Sequence, residues 1–434
     1  MTQSSVPTAR LSRSFLLVGF GLAAIGAGSL VLLAIASRAL SADSFAGFGI
    51  WFGLVNLVAF GLFSPLETAV SRSMLVTGGL TSLMKRHALV YGSVVLLSIV
   101  TLGVLLQSIV IPRLMNGSWA LMAVTQIYVV VLGVQAFQRG VAVGYGEYRP
   151  LFWQFTSDGV LRVALPLLAV HYGASSTLAF ASCVATSATI GVLGGFVAIK
   201  SRTEPESRAI TTGLEVRALL SLILAALGAQ LLMNGAPPIL SLAGHNDVRT
   251  MAALVGALTL TRIPLLFTSA IQAPLLPPMI AMIERGDTVG VWVLIRRLLI
   301  GLGLAGLLAA FIGWRIGETL LRAYLGSDNI ASSRALALLA SSGVALLAAL
   351  AVQAALVASA AHRALVNAWL MGVAVFALTI SYNASATTVA PFAIALGTMA
   401  TLTSMLVGLR FRLRRSQADF DMQRTLLART TKPR

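Results

Sequence analysis

The chain has 434 residues, of which 57% are hydrophobic and 10% charged; its mean hydropathy is +0.90 and its formal net charge +17. A soluble domain carries about 25% charged residues, so this composition excludes a soluble multidomain enzyme and indicates a polytopic, all-α membrane protein. The basic surplus would point to nucleic acid in a soluble chain, but here it follows membrane topology, and no nucleic-acid partner is expected.

Apolar runs long enough to cross about 30 Å of hydrocarbon as helices recur along the chain. A short tail, 1–14, holds Arg10 and Arg13. The first run, 15–36, is followed by small residues in "AIASRALSA", as a signal peptide would be, but its length favours a retained span. Five more runs complete a first set at 46–68, 87–111, 118–141, 156–172 and 176–199, the fifth being short and holding Arg162 and Pro166. A charged link, "KSRTEPESRAITTGLEVR", separates these from six further runs at 217–242, 251–281, 293–314, 335–358, 364–382 and 388–409. The expected organisation is therefore a lobe over 15–199, a cytoplasmic link over 200–216, a lobe over 217–409 and a basic tail over 410–434 that lies mobile against anionic lipid.

With both termini on one face, the segments on that face hold 2, 3, 3, 4, 3, 1 and 8 Lys or Arg, 24 in all, and the opposite loops hold 6. This bias places both termini in the cytoplasm. The one cysteine, Cys183, lies inside the sixth span, which excludes an internal disulfide and a cysteine-based metal site.

The second half repeats landmarks of the first. Asp43 pairs with Asp247, each at an expected helix start where a carboxylate can cap free N–H groups; Arg86 pairs with Arg296, Gln135 with Gln353, and Arg149 with Arg363. The offsets are 204, 210, 218 and 214 residues, so a unit of about 210 residues occurs twice. Six spans per copy return the second copy to the same face, and the halves should be related by an axis along the membrane normal. A cavity between the lobes, lined mainly by the first, second, seventh and eighth spans, is the expected consequence.

No HExxH, GxSxG or Walker A lysine loop is present, and no helix face carries paired carboxylates. The sequence thus marks no catalytic residue, cofactor or metal, and the chain reads as a non-enzyme. The sequons at Asn116 and Asn383 fall in expected outer loops, at a frequency chance explains.

What stands out is "TLTRIPLLFTSAIQAPLLPPM", 259–279, where Arg262 falls near the middle of the eighth span. A cation there costs roughly 2.5 to 3.5 kcal/mol on insertion scales, so it needs a partner. Two partners fit: Glu67, near the inner end of the second span, or an anionic substrate in an aqueous cavity. Pro264, Pro274, Pro277 and Pro278 each lack an N–H, so this span should be bent or interrupted. Acids are scarce at depth: Glu67 is clear, Asp158 and Glu318 are marginal, and the first span has none, so the cavity field should be positive. Arg139 and Arg162 would extend that field or anchor topology. Gln135, Gln230, Asn234, Gln272, Gln353 and Asn367 would join helices by hydrogen bonds or recognise sugar. Glycines four apart in "GIWFG", "GVAVG" and "GVLGG" should allow close helix packing. The candidate substrate-binding set is Arg262, Gln230, Asn234, Gln272, Arg139 and Glu67.

The chain resembles the multidrug/oligosaccharidyl-lipid/polysaccharide exporter superfamily, in its polysaccharide-flippase branch. Twelve spans, the six-plus-six repeat and an arginine in the eighth span carry the resemblance. So do "SRALSADSFAGFGIW", similar to that family's Leu-Gly-x-x-x-(aromatic)-Gly segment, and "GEYRPLFWQF", similar to its Gly-x-(aromatic)-Arg turn. Ser41 stands where that segment has Gly, and the chain lacks the two extra C-terminal helices of the lipid II flippases. The resemblance implies a MATE-like fold of two six-helix lobes in the cytoplasmic membrane. It also implies alternating access and a cationic cavity for the pyrophosphate and sugars of a polyprenyl-linked glycan, with Arg262 on the phosphate. The implied partners are that lipid-linked glycan, membrane lipid, and the glycosyltransferases or polymerase of the same envelope-polysaccharide pathway. A drug or organic-cation antiporter of the same fold, or a non-transporting scaffold subunit, is the alternative.

Overall fold

The computed structural model describes residues 8–77, 79–199, 216–244, 247–263, 265, 279–283, 285–326, 331–359, 361–381 and 386–430. All regular structure among them is helical. The helices are α1 Thr8–Ala39, α2 Ala42–Val58, α3 Ser64–Thr77, α4 Ser82–Leu105, α5 Gln107–Leu114, α6 Trp119–Gly144, α7 Arg149–His171 and α8 Thr177–Ile199. They continue as α9 Val216–Asn234, α10 Ala236–Leu242, α11 Val248–Thr261, α12 Thr288–Leu325, α13 Ser333–Ala358, α14 His362–Ile380 and α15 Ala386–Thr430.

Nine described helices are long and apolar enough to cross a membrane, or ten if the pair α9 and α10, bent by 80° at Gly235, is one span. The burial pattern agrees with a lipid environment. Leu304, Leu307, Leu308 and Phe311 on α12 and Leu89, Leu97 and Leu105 on α4 are each more than half exposed, a display of large apolar side chains that water would not tolerate. The chain is thus a multi-pass membrane protein. The fifth expected span corresponds to α7, whose 23 residues extend about 34 Å at 1.5 Å per residue, enough to cross. The expected mobile tail from 410 is instead a continuation of α15, helical to Thr430.

Several local features have direct causes in the sequence. Ser41 caps α2, its hydroxyl accepting from the Ser44 N–H at 3.2 Å. Asp43, the expected cap, sits two residues further on in the first turn, where its charge meets the positive end of the helix. Between α2 and α3 the chain widens into a π-helical turn, Ala59–Phe63. Pro65 accounts for it, since its ring would clash with the carbonyl four residues back and it offers no N–H. The Tyr91 hydroxyl donates to the Leu62 carbonyl at 2.7 Å within this turn.

The chain divides into two compact units: unit 1, Met1–Leu260 with Leu320–Ile330, and unit 2, Thr261–Thr319 with Ala331–Arg434. The division falls within the expected eighth span; the 200–215 stretch of the expected link lies outside the described residues.

In unit 1, α1 packs along α7, α7 along α8, and α6 against both α3 and α8, while α9 lies over the π turn. The α1–α7 crossing is close because both helices present glycine: a Cβ on Gly28 would lie 2.2 Å from the Gly159 carbonyl oxygen. The glycines of "GIWFG" and "GVAVG" act likewise, with a Cβ on Gly49 meeting Val255 at 2.3 Å and one on Gly140 meeting the Glu67 carbonyl at 2.8 Å. The core gathers Phe48, Trp51, Tyr128 and Phe180 with ring centroids 5.8 to 5.9 Å apart. In unit 2, α15 packs along both α13 and α14. Its core holds Trp369 and Phe376 among small residues of α13 such as Ala349, Ala351 and Ala355.

Candidate substrate-binding site

Polar side chains inside unit 1 fall along one helix. Thr125, Tyr128, Gln135, Gln138 and Arg139 of α6 recur at steps of three, four and seven, which keeps them on one side of a 3.6-residue helix. Each finds a partner on a neighbouring helix.

At one end of this row Arg139 Nε donates to Glu67 Oε2 at 2.7 Å, bridging α6 to α3. Its Nη1 reaches Gln135 Oε1 at 3.4 Å, and the guanidinium sits 5.7 Å from the centre of the Phe155 ring. The pair is partly open, with 13% of the arginine and 29% of the glutamate side chain exposed. The sequence left Glu67 as a possible partner of Arg262; the structure commits it to Arg139.

Midway along the row is a second, fully enclosed cluster. Arg162 Nε and Nη2 donate to the two carboxylate oxygens of Asp158 at 2.9 and 3.1 Å, one turn apart on α7. Arg162 Nη1 also donates to Ser29 Oγ on α1 at 3.0 Å, and Nη2 to the Tyr128 hydroxyl at 3.3 Å. Ser187 Oγ on α8 donates to Asp158 Oδ1 at 2.8 Å. Four helices therefore meet on one ion pair. Asp158 is 1% exposed and Arg162 6%, so neither is the marginal residue or topological anchor that the sequence indicated.

Between these two clusters, Gln138 Oε1 accepts from Gln154 at 3.2 Å and its Nε2 donates to the Val192 carbonyl at 3.2 Å, while Gln135 Nε2 donates to the Ala188 carbonyl at 3.0 Å. These glutamines hold α6, α7 and α8 together, the helix-joining role expected of uncharged polar residues. Beyond the row, Trp51 Nε1 on α2 donates to Thr125 Oγ1 at 2.8 Å.

Gln230 and Asn234 stand together on the last turn of α9, Asn234 Nδ2 donating to Gln230 Oε1 at 2.6 Å. The chain bends there, because Gly235, Pro237 and Pro238 follow and α10 leaves at 80°. Arg262 follows the last residue of α11 and begins a short turn in which its carbonyl accepts from the Leu265 N–H at 2.9 Å. It is half-buried. The expected break in the eighth span thus begins where α11 stops, at Thr261, three residues before Pro264. Gln272, Pro264, Pro274, Pro277 and Pro278 lie outside the described residues. Of the candidate set, the structure joins Glu67 to Arg139 and Gln230 to Asn234.

The Asp158–Arg162 cluster was absent from the candidate set. Its signal was an acid and a base four residues apart in an apolar run, the spacing that puts both on one helix face.

No protein-family model matches the chain, and no curated protein sequence matches it. Solved structures do. A multidrug resistance MATE family transporter of the MOP superfamily, in its inward-facing conformation, aligns with a TM-score of 0.65 at 13% identity, covering 92% of this chain and 99% of its own. A point mutant of the Vibrio cholerae MATE transporter VcmN aligns with a TM-score of 0.63 at 15% identity, covering 94% and 97%. A MOP superfamily transporter from Pyrococcus furiosus, described by the reverse polarity of its binding pocket and a different function suggested by it, aligns with a TM-score of 0.55 at 15% identity, covering 93% and 94%. The chain has the fold of MATE transporters, and twelve helices in two lobes are consistent with that fold.

Proposed function

We propose that this protein is a transporter of the cytoplasmic membrane, with both termini inside, that moves an anionic lipid-linked saccharide, such as a polyprenyl-pyrophosphate glycan, for envelope polysaccharide synthesis. The observation that carries this reading is the fate of the carboxylates. Glu67 and Asp158 are each committed to an arginine, so neither offers the desolvated negative charge that binding a cationic drug requires. Arg139 is an anion site now filled by the chain's own carboxylate, partly open, with an amide and an aromatic face beside it. Within the same unit Gln230 and Asn234 would supply amides for sugar hydroxyls, and Arg262 at the broken eighth span is proposed as a phosphate contact on its own account. Substrate phosphate would replace Glu67 on Arg139, and Glu67, released, would favour the return step once phosphate leaves.

The Pyrococcus relative supports the idea that this fold accommodates a pocket of inverted charge. The neighbours described as multidrug transporters support the other reading, a drug antiporter. All are transporters, which fits a non-enzyme. The deciding experiment is a proteoliposome assay of a short polyprenyl-pyrophosphate saccharide beside efflux of a cationic dye. Losing a hydrogen-bonded charge contact of about 1.5 to 3 kcal/mol should slow saccharide movement roughly 10- to 100-fold in Arg262→Ala, with part restored in Arg262→Lys, which keeps charge but not the bidentate fork. Dye efflux with no saccharide movement would replace this reading by the antiporter. Movement of neither, with export lost in cells, would indicate the scaffold.

A further inference from the structure

At the end of unit 1 that carries the α1–α2, α5–α6 and α10–α11 connections lies an open cavity of about 190 Å³. Its floor is apolar and buried, including Ile50 and Met251. Its rim is polar and carries one charge of each sign: Asp43 from the first turn of α2 and Arg113 from the last turn of α5, with Asn116 beside them.

The rim is held in place by hydrogen bonds, Asn116 Nδ2 donating one of its two protons to the Thr177 hydroxyl at 3.5 Å. Arg113 Nη1 donates to the Leu242 carbonyl at the end of α10, and Ser241 Oγ donates back to the Arg113 carbonyl at 2.5 Å, so α5 and α10 clamp each other. Asn116 adopts the left-handed backbone (φ 47°) and sits where a Cβ on Gly47 would be 3.1 Å from its amide. Among the described residues the Asp43 carboxylate has no hydrogen-bond or ion-pair partner.

We propose that this cavity binds a single neutral sugar ring, and this deepens the function proposed above, on whose saccharide cargo it rests. Size sets the class: at about 190 Å³ the cavity falls below the 300 to 1,000 Å³ or so of a drug-sized site. Charge sets the rest. The rim's acid and base offset each other, so neither an anion nor a cation is preferred, whereas a polyhydroxylated ligand uses both, donating to Asp43 and accepting from Arg113 and Asn116. The apolar floor suits the C–H face of a pyranose. With the termini inside, as proposed above, the cavity opens on the outer face, where it would receive the sugar of a translocated glycan.

The test is saturation-transfer NMR on the full chain in tail-deuterated detergent, with methyl glucoside as probe and inorganic phosphate as competitor. Transfer from protein methyls to the ring protons is expected in the wild type and in excess phosphate. Asp43→Asn should weaken binding roughly tenfold, the equivalent of one hydrogen bond, and Val248→Trp, which fills the cavity from its wall, should abolish it, both with unchanged helix content. Absence of transfer in the wild type, transfer surviving in both variants, or transfer quenched by phosphate overturns the cavity site. None of those results touches saccharide movement measured in proteoliposomes. Binding that depends on Asp43 in a chain that moves no lipid-linked glycan would keep the cavity site and remove the transport reading.

Discussion

The helix pairs α7 with α8 and α14 with α15 occupy equivalent places in the two repeats, and they solve the same packing problem in opposite ways. Shifting by the 214 residues that relate Arg149 to Arg363 takes Asp158 to Gly372, Arg162 to Phe376 and Ser187 to Thr401. In the first repeat Asp158 meets Ser187 at 2.8 Å, and Gly191 makes room, a Cβ there falling 3.4 Å from Cβ of Asp158. In the second, Gly372 meets Thr401 so closely that a Cβ on it would lie 1.7 Å from Thr401 Oγ1, and Phe376 is buried where Arg162 would be. Contacting positions are thus retained while their chemistry is replaced. The glutamines show the same divergence. Gln135 donates to the backbone of α8 and accepts from Arg139, whereas Gln353 accepts from Trp369 Nε1 at 2.8 Å. The matched positions keep their helix contacts, and the enclosed Asp158–Arg162 ion pair is a feature of unit 1.

The largest effect should come from splitting the added charge. Arg162→Ala strands a carboxylate that is 1% exposed, at a cost of about 3 to 5 kcal/mol, read as a large drop in thermal midpoint in detergent. The double change Asp158→Leu with Arg162→Met removes both charges at similar volume and should recover most of that loss. Failure to recover would mean that the pair does more than fill an interior, and would separate the repeats functionally as well as structurally.

Next is Gly372→Ala, which forces a methyl into Thr401 Oγ1 and to 2.7 Å from the Gly397 carbonyl. Overpacking of this kind costs about 1 to 3 kcal/mol. Thr401→Ala in the same chain should return part of it, the backbone contact accounting for the remainder. If Gly372→Ala were silent in a thermal melt, the close α14–α15 approach, and with it the correspondence to α7–α8, would fail.

A smaller effect is expected for Trp369→Phe, which leaves Gln353 without its donor and should cost about 1 to 3 kcal/mol if that amide stays dry, less if water replaces the indole. Comparison with Gln135→Met, measured in the same melt, shows which repeat depends more on its glutamine.

The smallest concerns the helix starts paired by the repeat. The Thr250 hydroxyl, followed by backbone N–H groups of the first turn of α11, holds the Asp247 carboxyl below its usual range. A lowered folded value stabilises above the unfolded pKa, and that contribution is lost as pH falls through the folded one. Thr250→Val should therefore raise the acid limb of the stability profile toward higher pH, followed by infrared titration of the carboxylate band.

The sequence by itself determined the helices. Long apolar runs cannot satisfy their backbone in lipid except as helices, so the twelve expected spans fall mainly on helix where described, and the break after Thr261 and the close-packing glycines were legible from residue type alone. Repeat landmarks were legible too, because chain order survives duplication. Partner choice was not. Glu67 could meet Arg262 or Arg139 on sequence grounds, and the decision rests on α3 packing along α6, a relation between residues 72 apart. Asp158 read as marginal, and Arg162 as a topological anchor or an extension of the cavity field, because a one-dimensional reading measures depth from the ends of a run, whereas enclosure depends on α1, α6 and α8 closing around α7. Backbone hydrogen bonding is local and is written in composition; the pairing of a buried charge is set by which helices touch, and tertiary structure alone supplies that.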